Sequence, residues 1–226
     1  SVQWAASKIV YIKDDIVYHI NENELYTRGL YSSVIGYGKI SARLSNPFNS
    51  FVEKFSCSSD GENVVVISGN ILFYYEKSKI KNMIPLSSLD GSVVSHQIFW
   101  TEKNEPVLWS DLISNSTGKK LSTVNRVSSG FEKVLQVEGG VTPILSPDKR
   151  KVAFCMDGKF CVYDTSSWKL SASLENSNVV SAVWANNANL FVGGNETVKL
   201  WNVGGQSTVL FVSSANFAYW DGGRII

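Results

Sequence analysis

The feature that most constrains this chain is the recurrence of short β-forming runs cut apart by polar turns. Lys8 to Ile12, Asn63 to Ile67, Lys151 to Met156 and Val198 to Val203 concentrate Val, Ile, Phe, Tyr and Trp, and Gly, Asn, Asp and Ser separate such runs. β-branched and aromatic side chains suit a pleated, half-buried surface, so the runs read as strands of about five residues. Few windows carry apolar residues at i, i+3, i+4 and i+7 for three turns, so little helix is expected.

The runs fall into units that resemble one another. Ser146-Pro147-Asp148-Lys149 precedes Lys151-Val152-Ala153-Phe154, and Ser58-Ser59-Asp60-Gly61 precedes Asn63-Val64-Val65-Val66. Asn186-Asn187-Ala188-Asn189 precedes Leu190-Phe191-Val192, and Thr101-Glu102-Lys103-Asn104 precedes Pro106-Val107-Leu108-Trp109. Each is a polar turn between two strands. At or just before the turn stand Trp4, Cys57, Trp100, Leu145, Trp184 and Trp220, spaced 36 to 53 residues apart. A four-stranded blade repeats every 40 to 45 residues or so. The later part of the unit repeats as well. Val198-Lys199-Leu200-Trp201-Asn202 matches Phe160-Cys161-Val162-Tyr163-Asp164, Leu72-Phe73-Tyr74-Tyr75-Glu76 and Val17-Tyr18-His19-Ile20-Asn21. Fourth strands follow, as at Lys169 to Leu174 and Ser207 to Val212.

On these residues the units resemble WD40 repeats, the blades of a β-propeller. Trp201-Asn202 and Tyr163-Asp164 stand where that family has Trp-Asp. Ser146-Pro147-Asp148 and Ser58-Ser59-Asp60-Gly61 stand where it often has Ser-Pro-Asp-Gly. The family's Gly-His element is missing throughout, and with it the hydrogen-bond network that element supports. The Ser-Pro-Asp form followed by Val-Ala-Phe also resembles the periplasmic TolB-type repeat. The resemblance implies an all-β propeller in a single domain, 1–226, built of four-stranded antiparallel blades. The blades fall at approximately 1–33, 51–87, 93–137, 140–175 and 179–212, with a partial sixth at 216–226. An open sheet edge is adhesive. The ring is therefore expected to be incomplete within these residues, its gap covered by further sequence, a partner chain or another copy. The chain begins with Ser1 rather than Met, as an excised or processed piece would.

Composition narrows function mainly by exclusion. With 44% hydrophobic and 18% charged residues, the chain is neither intrinsically disordered nor a coiled coil. Lys plus Arg is 21 against 20 for Asp plus Glu, a net charge of +1. No global field draws the chain to nucleic acid or an anionic membrane. No apolar run reaches the roughly 18 residues of a membrane span, and no secretory leader opens the chain. Cys57, Cys155 and Cys161 are too few and scattered for a disulfide framework. This favours an intracellular compartment, with the bacterial periplasm as the alternative. Asp157-Gly158 favours a two-residue hairpin turn that sets Cys155 opposite Phe160 and Phe154 opposite Cys161. The two cysteines then lie on opposite sheet faces and cannot bridge.

No catalytic, cofactor or metal constellation stands out, and the chain reads as non-enzymatic. The only histidines, His19 and His96, fall in separate strands as core or surface residues. Gly36-Tyr37-Gly38-Lys39 lacks the first glycine and the hydroxyl residue of a phosphate-binding loop, and reads as a blade connector. Asp14-Asp15 suits a hairpin turn. Lys149-Arg150-Lys151 and Lys77, Lys79 and Lys81 map to first-to-second and third-to-fourth turns, where a solvated surface outweighs a nucleic-acid footprint. Recurrent aromatics such as Trp184, Trp201 and Tyr163 read as packing between blades, and Trp109 and Trp168 sit nearer loops.

Two connectors are unusually long: Tyr31 to Ser50 between the first two blades, and Asp111 to Lys120 as a second-to-third turn. Both kinds open on one propeller end, where WD40 proteins commonly hold partners. Tyr37, Arg43, Phe48 and Phe51 in or beside the first, and Lys119 and Lys120 in the second, are the candidate partner-binding residues. The reading is a protein-interaction scaffold within a multiprotein assembly. The alternative is a TolB-like envelope propeller binding a peptide or small ligand.

Overall fold

The computed structural model describes residues 2–5, 8–13, 16–21, 39–43, 52–76, 79–89, 91–128, 130–139, 142–156, 159–175, 179–194, 197–205 and 207–212. They form five four-stranded sheets, each with its strands in chain order. The first holds β1 (Val2–Ala5), β2 (Lys8–Lys13), β3 (Ile16–Asn21) and β4 (Lys39–Arg43). The second holds β5 (Val52–Cys57), β6 (Asn63–Ser68), β7 (Ile71–Glu76) and β8 (Lys79–Pro85). The third holds β9 (Ser92–Trp100), β10 (Pro106–Ile113), β11 (Lys120–Arg126) and β12 (Glu132–Glu138). The fourth holds β13 (Ile144–Leu145), β14 (Lys151–Met156), β15 (Lys159–Asp164) and β16 (Leu170–Leu174). The fifth holds β17 (Val179–Trp184), β18 (Asn189–Gly194), β19 (Thr197–Asn202) and β20 (Ser207–Val212). Among the described residues the helical content is one 3₁₀ turn, Leu86–Ser88. The chain divides into two compact units, 1–110 with 124–133 and 111–123 with 134–226, the division running through the third sheet.

The four polar turns read from the sequence each join the first and second strands of a sheet, and Cys57, Trp100, Leu145 and Trp184 each end a first strand. The matched third strands are β3, β7, β15 and β19. One boundary differs. β4 pairs with β3 through Ile16↔Arg43 and Val17↔Ala42, so the first sheet ends at Arg43 rather than near 33. Lys39-Ile40-Ser41-Ala42-Arg43 carries two charges and no aromatic residue, which hid its strand character. The long stretch 22–38 therefore links a third strand to a fourth, not one blade to the next. In an antiparallel sheet that connection leaves from the end of the first-to-second turn, so the two long connectors are not of one kind. The second of them is also shorter than expected. β10 runs on to Ile113, leaving 114–119 as a turn closed by Ser114 N–H to Lys119 O at 2.9 Å and Gly118 N–H to Ser114 O at 2.9 Å.

Packing follows from sheets covered on both faces. Val64 to Ser68, Leu72 to Tyr75, Pro106 to Ser110, Leu121 to Asn125 and Phe160 to Tyr163 are continuous buried runs. In the second unit, Ala153, Phe160 and Val162 of the fourth sheet pack against Trp184, Leu190, Val192 and Trp201 of the fifth. Phe160 meets Trp201 edge-on, ring centroids 6.3 Å apart. Trp184, Trp201, Tyr163 and Val152 are buried as expected, and so are Trp109 and Trp168. Leu200, expected to be buried, is only half-buried. It alternates with Trp201 along β19 and so takes the sheet face turned away from the fourth sheet.

In four sheets the fourth strand carries one extra residue against the third: Ser41, Lys81, Ser171 and Leu210. A bulge at that place twists the outer edge and blunts it as a template for another strand. The cysteine register is as expected, Phe154↔Cys161, Cys155↔Phe160 and Met156↔Lys159, and all three cysteines are free. Asn216–Ile226, the expected partial blade, lies outside the described residues.

Candidate interaction groove

The local sequence of β5 places two charges where a regular strand would place one. Val52 pairs with Ser68 and Lys54 with Ile67, so Glu53 is an extra residue in the strand. Such a bulge turns consecutive side chains toward one side instead of opposite faces. Glu53 and Lys54 both line a groove of about 440 Å³, shared with Ile67, Gly69, Asn70, Leu86 and Val93 to His96. β5 and β9 are the first strands of their sheets and form its walls; the second-to-third turn at Gly69-Asn70 and the end of the second sheet at Leu86 complete it. The Lys54 ammonium donates to the His96 carbonyl and ties the two walls together. His96 Nδ1 lies 2.8 Å from Ser110 Oγ, a bond that fixes the ring against β10.

The groove pairs an apolar rim with a charged one. Ile67 and Leu86 are buried at its base, while Val93 is 39% and Val94 60% exposed. Both valines of the Val93-Val94 doublet thus present apolar surface to solvent at the groove. Glu53 is exposed and makes no ion pair among the described residues. A site of this volume with apolar walls and a few placed polar groups suits a side chain or short peptide segment.

The opposite ends of the sheets carry polar networks that hold turns in shape. In the fourth sheet Ser146 Oγ donates to Asp148 Oδ1 at 2.6 Å, and the Arg150 N–H donates to the same oxygen at 3.1 Å. Burial pushes the Asp148 carboxyl up, but the Ser146 and Arg150 donors and the Lys151 and Arg150 charges outweigh it and leave the group below its ordinary value. Asp164, at the end of β15, accepts from the Ser166 hydroxyl at 2.6 Å and from the Ser167 N–H at 2.8 Å. The Ser166 hydroxyl does most to lower its carboxyl, to about 2, with the remaining Ser166 and Ser167 donors adding to it. These carboxylates close turns.

Of the residues singled out from the sequence, Tyr37, Phe48 and Phe51 lie outside the described residues. Arg43 lies in β4, not in a loop. Lys119 and Lys120 are exposed, and Lys119 Nζ stands 3.5 Å from Glu138 Oε2 in a pair that solvent screens. Neither Lys119 nor Lys120 lines the groove. Lys77 lies outside the described residues, and Lys79 and Lys81 belong to β8 rather than a turn, with Lys81 3.0 Å from Glu76. The sequence reading missed Glu53, Lys54, Val93 and Val94 and set His96 aside. Only the valine doublet carried a legible signal. Among the described residues no group of three or more His, Cys, Asp or Glu is placed to hold a metal ion, and no helix is long and apolar enough to cross a membrane.

No known family profile and no curated protein matches the sequence. Solved structures do. A crystal structure described as "the eukaryotic initiation factor" superposes with a TM-score of 0.65 at 11% identity, over 97% of this chain and 56% of that one. Hsv2 of Kluyveromyces lactis gives 0.46 at 14% identity, covering 89% and 61%. BBS1N in complex with ARL6DN gives 0.44 at 12% identity, covering 91% and 63%. The chain thus spans less than two thirds of the length of each of these structures. Together with the five sheets, the likeness to the first establishes the fold: all-β, of the β-propeller type with four-stranded antiparallel blades.

Proposed function

We propose that this chain is part of a WD40-like propeller that works as a non-enzymatic, intracellular protein-interaction platform, and that the groove between β5 and β9 is a contact site. The observation that carries this reading is a groove with exposed Val93 and Val94 and a Glu53 carboxylate that makes no ion pair among the described residues, built on the first strands of two sheets. Rigid strands hold such groups at little entropic cost on binding, and exposed apolar side chains beside a charge are typical of an interface. Val94→Asp changes only an exposed side chain and leaves the cores untouched. A partner captured with the wild-type protein from its native extract, verified by reconstitution from purified components, is expected to be lost with Val94→Asp. Equal capture by both forms, or catalytic turnover by the purified protein, would overturn the reading.

A further inference from the structure

We infer that the groove takes an extended peptide segment of a protein partner, with a lysine or arginine paired to Glu53 and an aliphatic side chain, one or two positions away, packed on Val93 and Val94. The inference rests on the proposed function and adds the chemistry of the partner. Three observations carry it. The β5 bulge presents Glu53 and Lys54 together at the groove. Of these two charges, Lys54 is drawn to the His96 carbonyl across the groove, whereas Glu53 is exposed and without an ion pair among the described residues. Lys54 keeps its positive charge, but its ammonium is held at the carbonyl; the carboxylate is the charged group left to engage a ligand directly, and its complement is a cation. The apolar surface lies on the opposite wall, where four consecutive residues, Val93 to His96, line the groove. A wall formed by the length of one strand matches a ligand that is itself extended. Arginine fits the carboxylate with two parallel hydrogen bonds and is the stronger candidate of the two cations.

A phage-displayed library of random heptapeptides, panned on the 226-residue protein, tests this, with fluorescence polarisation of labelled synthetic copies of the enriched peptides. The expected pool carries Arg or Lys within two positions of Val, Ile or Leu. Its members should bind Glu53→Lys at least about tenfold more weakly and lose binding to Val94→Asp. Changing the peptide's basic residue to Glu should restore binding to Glu53→Lys. Both substituted positions are exposed, and each variant is expected to give the wild-type circular dichroism spectrum. Acidic or uncharged peptides that still depend on Val94 would overturn the cation assignment and leave the groove as the contact site. Peptides insensitive to Val94→Asp, or no enrichment at all, would overturn the inference and the groove reading together.

Discussion

Two junctions between neighbouring blades, one in each unit, solve the same packing problem with different chemistry. Between the second and third sheets, Trp100 Nε1 donates to Ser56 Oγ at 2.9 Å. Between the fourth and fifth, Trp184 Nε1 donates to the Ile144 carbonyl at 3.0 Å. Each tryptophan ends a first strand, and each acceptor stands one residue before the end of the preceding blade's first strand. At the turns the correspondence continues. Ser59 Oγ donates to Asn104 Oδ1 at 2.8 Å, and Asn104 Nδ2 donates to Asp60 Oδ2 at 3.3 Å. In the other unit the Asp148 N–H donates to Asn187 Oδ1 at 3.0 Å, and Lys151 Nζ donates to the Asn187 carbonyl at 2.8 Å. The lesson is that the repeat preserves positions rather than residues. At the tryptophans a donor is supplied at a fixed place and either a side chain or the main chain accepts it, whereas at the turns the donors themselves differ.

The largest expected effect comes from truncating the tryptophans. Trp100→Ala and Trp184→Ala should each cost about 3–5 kcal/mol, read from urea unfolding, if the two junctions are equivalent in packing. A cost below 1 kcal/mol or so at either would show that its junction is not a core. Phenylalanine separates the hydrogen bond from the packing. Trp184→Phe removes one donor from a main-chain carbonyl that keeps its ladder partner on β14, and should cost about 0.5–1.5 kcal/mol more than the lost area alone. Trp100→Phe strands only the Ser56 hydroxyl, so adding Ser56→Ala should recover much of the loss, because removing both partners is far cheaper than removing one. Failure of that rescue would mean that the hydroxyl has another structural role. At the turns, Asn104→Ala and Asn187→Ala should each cost about 0.5–1.5 kcal/mol in the same measurement.

Asp164, whose carboxylate accepts from Ser166 and Ser167 in the turn after β15, adds a pH dependence to stability. Its folded carboxyl lies below its ordinary value, at about 2. Its contribution is therefore complete above about pH 4 and is lost as pH falls toward 2. Melting temperatures between pH 5 and 2 should fall less steeply in Asp164→Asn than in the wild type, and parallel curves would remove the assignment. The smallest effect concerns backbone strain. Gly61, Asn104 and Lys149 occupy the same turn position with φ of 72°, 56° and 62°. Only glycine adopts this left-handed conformation freely. Lys149→Gly should therefore stabilise the protein by about 0.5–1 kcal/mol, whereas the same change at Asn104 forfeits its cross-turn bonds and should not.

What was legible in the sequence was whatever recurred. The turn quartets, the residues that end first strands and the third-strand aromatics Tyr75, Tyr163 and Trp201 all hold equivalent places. Each repeat faces the same local demand, a tight turn followed by strands buried on both faces. The Asp157-Gly158 register was legible for a similar reason: a two-residue hairpin fixes its own pairing. β4 was not legible, since a short outer strand with two charges needs little apolar pattern to complete a sheet.

The sequence by itself determined the all-β class, the repeat, the strand order within the blades and the positions of the buried aromatics, because these depend on side chains a few residues apart. Only the tertiary structure decided the groove. Glu53 and Lys54 reach it through a bulge that no periodicity announces, and Val93 to His96 arrive from about 40 residues away in the chain. They meet because blade packs on blade, and that stacking sets side by side residues that no local pattern connects.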